Sequence, residues 1–225
     1  MVTLLIDVVS NNSIIALIPQ KKPKKIEKMS LEFSRSHSEN IVPALETLIE
    51  NSIFSYTDIK KVVCVTGPGN YTNIRTGLAV AKSISLVNQI HAYGLTQHDL
   101  IMQTYEYSTN SCDLIVITPS INNNFYYQEF NGNIPKQSEP IMLSANAVLN
   151  NIDLNKSNIV ETGKEFQNYL IKKNINVNNL RSNYIIQDNN LVKITELKSI
   201  VPNNVDAKYI KTPNFVKYTK KDIYE

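Results

Sequence analysis

Apolar positions alternate with polar ones in short runs at the start of the chain, then switch to helical spacing. Residues 2–9 and 13–19 read as two strands, and Asn11-Asn12 between them gives a tight hairpin turn. A basic, proline-broken connection, Lys21-Lys22-Pro23-Lys24-Lys25, leads to a third strand over 26–34. Ile41, Val42, Leu45, Leu48 and Ile49 then recur on one face of a helix over 37–50, with Ser36 or Ser38 as cap and Glu39 three residues after Ser36. The run Val62-Val63-Cys64-Val65 predicts a buried strand over 62–66. A helix over 72–87, a short strand at His91-Ala92-Tyr93-Gly94 and a helix over 97–107 complete a βββαβαβα order. This is an α/β unit in which an antiparallel hairpin leads into a parallel sheet.

Composition shifts at Ser108-Thr109-Asn110-Ser111. Strands at 113–118 and 125–130 follow, and then an Asn-rich half with weak periodicity. The expected division is an N-terminal lobe over 1–107, carrying the glycine segment and the paired helices, and a smaller, divergent C-terminal lobe over 108–225. No repeat of fixed period is visible.

Three of the six glycines fall within Gly67-Pro68-Gly69-Asn70-Tyr71-Thr72-Asn73-Ile74-Arg75-Thr76-Gly77, directly after the apolar strand. A strand, a Gly-Pro-Gly turn and a helix is the natural reading, and such a junction aims backbone N–H groups at an anion or a partner. Gly67, Gly69 and Asn70, with Asp7 at the end of the first strand, are therefore the anion- or nucleotide-proximal candidates. Asn70 and Asn73 both tolerate the left-handed region a turn demands.

Bulk properties narrow the classes. Hydrophobic content of 42% against 19% charged suits a globular core, and a net charge of +3 is too small to argue for nucleic-acid binding. No stretch approaches the ~20 apolar residues of a membrane span. The opening Met1-Val2-Thr3-Leu4-Leu5-Ile6-Asp7 does not read as a signal peptide, so a cytoplasmic location is expected. Cys64 and Cys112 lie in or beside apolar runs and read as buried free thiols. The clusters Lys21, Lys22, Lys24, Lys25, Lys28 and Lys217, Lys220, Lys221 read as solvated surface.

Candidate chemistry is sparse. His37, His91 and His98 include no pair spaced four apart, the spacing that puts two imidazoles on one helical face, so no metal site is expected. The hairpin Asp7-Val8-Val9-Ser10-Asn11-Asn12-Ser13 has no glycine for close approach to a phosphate, and Asp7 is better read as bonding its own turn. There is no P-loop and no nucleophile elbow. Arg75 in the first turn of a helix opposes the helix dipole, which calls for a carboxylate partner or an intermolecular contact. Gly77, Ala81 and Ser85 are four apart and form a small-residue ridge. With Ile74, Leu78 and Leu86 facing the core, that ridge would face outward and admit a partner helix.

The glycine segment is similar, without a gap, to the Gly-Pro-Gly-Ser-Phe/Tyr-Thr-Gly-Leu-Arg-x-Gly signature of the bacterial TsaB (YeaZ) family, with Asn70 for Ser and Asn73 for Gly. His37-Ser38-Glu39-Asn40-Ile41-Val42-Pro43 resembles that family's His-Ser-Glu-x-Leu-x-Pro helix start. Asp7, Tyr93-Gly94-Leu95 and Ala207-Lys208-Tyr209-Ile210-Lys211 fit as well. Val8-Val9 departs from the family's Thr-Ser, and Thr118-Pro119-Ser120-Ile121-Asn122 from its Asp-Ala-Arg-like segment. The resemblance implies an actin-like (ASKHA) α/β fold of two lobes, with mixed sheets flanked by helices. It also implies a non-catalytic partner of TsaD in forming N6-threonylcarbamoyladenosine at position 37 of tRNAs that read ANN codons. TsaE joins the larger complex, a homodimer can use the same face, and tRNA is met indirectly through the complex. No cofactor is firmly implied, although ATP or ADP has room at the interface of the complex. The implied partner interface is His37, Glu39, Ile41, Leu45, Tyr71, Ile74, Arg75, Gly77, Leu78, Ala81 and Ser85. The alternative is a small actin-like phosphotransferase or ATPase, or a degenerate glycoprotease-like hydrolase.

Overall fold

The computed structural model describes residues 1–20, 25–31, 37–106, 113–153, 157–196 and 206–207; of residues 37–39 it describes the backbone alone. The first sheet holds β1 (Val2–Asp7), β2 (Ile14–Pro19), β3 (Glu27–Ser30), β4 (Ile59–Val65) and β5 (Ala92–Leu95), with helices α1 (His37–Glu50), α2 (Tyr71–Val87) and α3 (Gln97–Thr104). The second holds β6 (Asp113–Pro119), β7 (Asn124–Asn131), β8 (Ile134–Pro135), β9 (Ile141–Ser144), β10 (Asn158–Glu161) and β11 (Leu180–Arg181), with α4 (Ala145–Asn151) and α5 (Glu165–Lys172). A short α6 (Asp188–Leu191) runs into a 3-10 turn at Val192–Glu196.

The two sheets repeat one plan. In the first the order is β3-β2-β1-β4-β5, with β1, β2 and β3 antiparallel and β4 and β5 added in parallel. In the second, β9-β7-β6 are antiparallel and β10 and β11 are added in parallel on the far side of β6. Tiny β8 is an extra beside β7. The duplication carries no sequence repeat, because the plan needs only hydrophobic alternation and helical crossovers, which many residue sets supply.

The hairpin is shorter than the alternation predicts. The strands end at Asp7 and resume at Ile14, not at 9 and 13. The Asp7 carboxylate takes the N–H groups of Val9 and Ser10, which removes both from the sheet ladder. The third strand and the helix after β5 are likewise shorter than expected over the described residues. The boundary expected at 107/108 and the thiol of Cys112 lie outside the described residues.

The core is layered. One face of the first sheet packs Leu4, Ile6, Ile15 and Cys64 against Ile41, Leu45, Ile74, Leu78 and Ala81 of α1 and α2. Its other face, with Leu5, Ile18 and Val63, meets Leu100 of α3 and also Leu191 and Ile194. So the chain returns to the first sheet after completing the second. Lys61, buried in β4, donates to the Ile194 carbonyl at 3.4 Å, and its ammonium lies 4.8 Å from the Tyr93 ring centre. Desolvation lowers the pKa of Lys61. The opposite side of α3 packs on the second sheet, whose outer face is covered by Val148 of α4 and by Phe166 and Leu170 of α5. No described helix is long and apolar enough to cross a membrane.

Candidate functional site

Asp7, the glycine turn and the start of α2 meet beyond the C-terminal ends of the interior strands β1 and β4. Gly67 has φ of 125° and precedes Pro68 through a cis bond; its carbonyl accepts the Gln97 N–H at 2.8 Å, which ties the turn to α3. Gly69 abuts Val9. Gly77 faces inward: a Cβ there would lie 2.7 Å from Val8 Cγ2 and 3.6 Å from Cys64 Sγ. The glycines thus let α2 sit close on the hairpin and β4.

The electrostatic fittings of an anion site are already used by the chain itself. Asp7 Oδ1 accepts from Val9 and Ser10 N–H at 3.0 Å each, and Oδ2 accepts from Ser10 Oγ. This is the turn-bonding role expected for Asp7. Asn70 is the N-cap of α2: its Oδ1 accepts from Thr72 N–H at 3.0 Å and Asn73 N–H at 3.1 Å, and its carbonyl takes Ile74 N–H at 3.0 Å. Three of the first four amides of α2 are therefore satisfied by one residue.

Asp7 and Ser10 also line a cleft of about 160 Å³ between the sheets, with Lys28, Gln97, Thr162 and Tyr184 among the facing residues. At its rim Lys28 pairs with Asp188. Next to the cleft residue Thr162, Glu161 ends β10 fully buried and turned toward α5. Its Oε1 accepts from Phe166 N–H at 2.6 Å, and its Oε2 from Gln167 N–H at 3.1 Å and Ser182 Oγ at 3.3 Å. Burial raises its pKa, against the lowering by those amides. Sequence reading missed Glu161. Its signal was an acidic residue closing the apolar run Ile159-Val160 just before Thr162-Gly163 and a helix.

The expected interface residues fall into two groups. Ile41, Leu45, Ile74, Gly77, Leu78 and Ala81 are buried in the chain's own core, while Leu86, expected inward, is 79% exposed. The small-residue ridge thus faces the sheet, and its outward orientation is corrected: its small residues allow close approach to Val8 and Cys64. Ser85 and Tyr71 are half-buried and Arg75 is exposed, its guanidinium 3.9 Å from the Tyr71 ring centre. The outward stripe of α2 is Arg75, Ala79, Lys82 and Leu86, at i, i+4, i+7 and i+11. On α1, Val42 is exposed beside buried Ile41, and the side chains of His37 and Glu39 lie outside the described residues. The Asn88 side chain donates to the Tyr56 carbonyl at 2.8 Å and ties the end of α2 to the 3-10 turn Tyr56–Asp58 that leads into β4.

Burial raises the Cys64 thiol far above its ordinary range, so it stays protonated. His91 is exposed beside Tyr93, whereas His98 is fully buried in α3 with its pKa lowered to about 4 by desolvation. Among the described residues no three His, Cys, Asp or Glu side chains come together as a metal-holding group.

Two sheets of one strand order, stacked about α3 and flanked by helices, define an α/β protein of two mixed sheets. Residues 31–181 match the family model described as TsaD, tRNA N6-adenosine threonylcarbamoyltransferase. The chain is 28% identical over 82 residues to the tRNA threonylcarbamoyladenosine biosynthesis protein TsaB of Buchnera aphidicola from Schizaphis graminum, covering 36% of this chain and 39% of the relative. It is 25% identical over 144 residues to the TsaB of Buchnera aphidicola from Baizongia pistaciae, covering 61% and 63%. The matched stretches thus span less than two thirds of these relatives. Among solved structures, YeaZ from Pseudomonas aeruginosa superposes with a TM-score of 0.70 at 12% identity, over 92% of this chain and 99% of that one, which shows a shared fold. The chain belongs to this family, in its TsaB (YeaZ) group.

Proposed function

We propose that the chain is a non-catalytic partner of TsaD in the formation of N6-threonylcarbamoyladenosine at position 37 of tRNAs that read ANN codons. The observation that carries this reading is the family match over residues 31–181, joined by relatives named for threonylcarbamoyladenosine biosynthesis. The geometry supports a docking role over a catalytic one. Asp7 is committed to its own turn, and Asn70 fills the amides at the start of α2. The docking face is the exposed side of α1 and α2, headed by Tyr71 and Arg75 and continuing through Ala79, Lys82, Ser85 and Leu86, with Val42 on α1. Leu86 and Val42, apolar and in the open, and the arginine stacked on a tyrosine at the other end of α2 suit a protein interface. The same face serves a homodimer when TsaD is absent. TsaE joins the larger assembly, tRNA is met through the complex, and the whole works in the cytoplasm.

A pull-down with the tagged chain from native extract is expected to recover TsaD. Ala79→Arg, at an exposed position, should abolish recovery and leave the melting temperature of the isolated chain unchanged. Ala81→Arg would not serve, because Ala81 is buried in the chain's own core. Recovery that survives both Ala79→Arg and Leu86→Glu would refute the docking face. Unchanged threonylcarbamoyladenosine in tRNA nucleosides after depletion of the chain would refute the function.

A further inference from the structure

Where α3 packs on the second sheet the contact is apolar except around His98. Along α3, His98, Ile101, Met102 and Tyr105 are all buried and recur at i, i+3, i+4 and i+7. The last three pack on one face of the second sheet, which the β6–β7 register lays out in rows. Leu114 stands opposite Phe130, Val116 opposite Gln128, and Thr118 opposite Tyr126. His98 meets the last row, its Nε2 3.2 Å from the Tyr126 carbonyl. His98 Nδ1, Thr118 Oγ1 and Gln128 Oε1 are buried and have no hydrogen-bond partner among the described residues.

Their chemistry is complementary to one small ligand. The Tyr126 carbonyl can only accept, so Nε2 carries the proton and Nδ1 is left as an acceptor. Gln128 gives its amide N–H to the Gln137 carbonyl at 3.1 Å, which leaves Oε1 as a second acceptor. Thr118 supplies one hydroxyl proton, too few for two acceptors. A water molecule has two protons for the acceptors and a lone pair for the hydroxyl, and three bonds is what a buried water typically makes. We infer that one buried water is bound at this end of the seam, donating to His98 Nδ1 and Gln128 Oε1 and accepting from Thr118 Oγ1. This water is a polar tie between α3, which packs on the first sheet through Leu100, and the second sheet. The inference stands apart from the docking function and does not depend on it.

A high-resolution crystal structure of the intact chain tests it directly. The expected result is one isolated peak within hydrogen-bond reach of the three atoms. An empty site, a direct Thr118 Oγ1 to His98 Nδ1 bond, or a peak with the short contacts of a cation would overturn the proposal. Thr118→Val should remove or displace the peak; an unmoved peak counts against the assigned donor. In melting experiments Thr118→Val and His98→Leu are each expected to lower Tm. The double variant should lose no more than the larger single loss, because the water leaves with its partners; additive losses would contradict a shared ligand. If His98→Leu does not fold, the two electron-density maps decide alone.

Discussion

The two halves of this molecule use the same strand order but close the corresponding helix in different ways. In the first, α2 follows β4 and is capped by Asn70, a neutral residue at the N-cap that reaches two amides at the surface. In the second, α5 follows β10 and is closed by Glu161, a buried carboxylate from the end of the strand itself. Both devices place side-chain oxygens on amides that an anion would otherwise use. They differ in what their removal exposes. Asn70 stands where water can replace it, whereas removal of Glu161 leaves the buried Phe166 N–H and the part-buried Gln167 N–H without their acceptor. The second half, which looks weaker in sequence, is thus the half with the more demanding joint.

The largest effect should come from breaking that joint. Glu161→Ala is expected to cost about 4 kcal/mol, because the buried Phe166 amide and the part-buried Gln167 amide both lose their carboxyl acceptor. Urea unfolding checks it, and a loss near that of Asn70→Ala would remove the distinction between the halves. Glu161→Gln should cost less and should also change the pH dependence. A carboxyl whose folded pKa is raised stabilises most below its unfolded value and loses that contribution as pH rises through the folded value. The Gln variant should lack this declining component.

The seam between the halves responds to pH in the opposite sense. His98 has its pKa lowered to about 4 by burial, so the folded state holds the neutral ring. Its contribution is full above the unfolded value of about 6.5 and is lost as pH falls toward 4. A shift of that size corresponds to about 3 kcal/mol. Stability curves of wild type and His98→Leu across this window should converge toward acid, and parallel curves would remove His98 as the cause.

Packing in the first half supplies the next effect. Gly77→Val puts a branched side chain where even a Cβ lies 2.7 Å from Val8 Cγ2, and about 2 kcal/mol of destabilisation is expected from overpacking. Thermal melts should show it, and an unchanged Tm would mean that α2 can lift from the hairpin without cost. The position also shows what sequence can and cannot say. Small residues at 77 and 81 announced a close approach correctly, but their size is silent about which neighbour approaches; the hairpin Val8 and Cys64 took the place assigned to a partner helix. The first half was otherwise legible because its strands are long apolar runs and α1 and α2 hold several helical turns. In the second half β10 has four residues, β11 two and α5 eight, too few for a period to register. Glu161 escaped notice, and so did the burial of His98, because a buried polar group is defined by its surroundings, which come from strands and helices distant in the chain.

Asn70→Ala is the smallest change and the one that sharpens the comparison most. It removes the acceptor for Thr72 and Asn73 N–H but leaves the backbone carbonyl that takes Ile74 N–H. Loss of an N-cap of this kind costs about 1 kcal/mol. Since both amides lie at an exposed end, water should meet part of their demand. Asn70→Asp offers a charged acceptor in the same place and should match or slightly exceed wild type, by a few tenths of a kcal/mol from the helix dipole. If α2 used these amides to hold an anion, added phosphate would raise the Tm of Asn70→Ala and leave Asn70→Asp unmoved. A self-capped helix predicts the same small loss with and without phosphate, because the amides meet only water once Asn70 is gone.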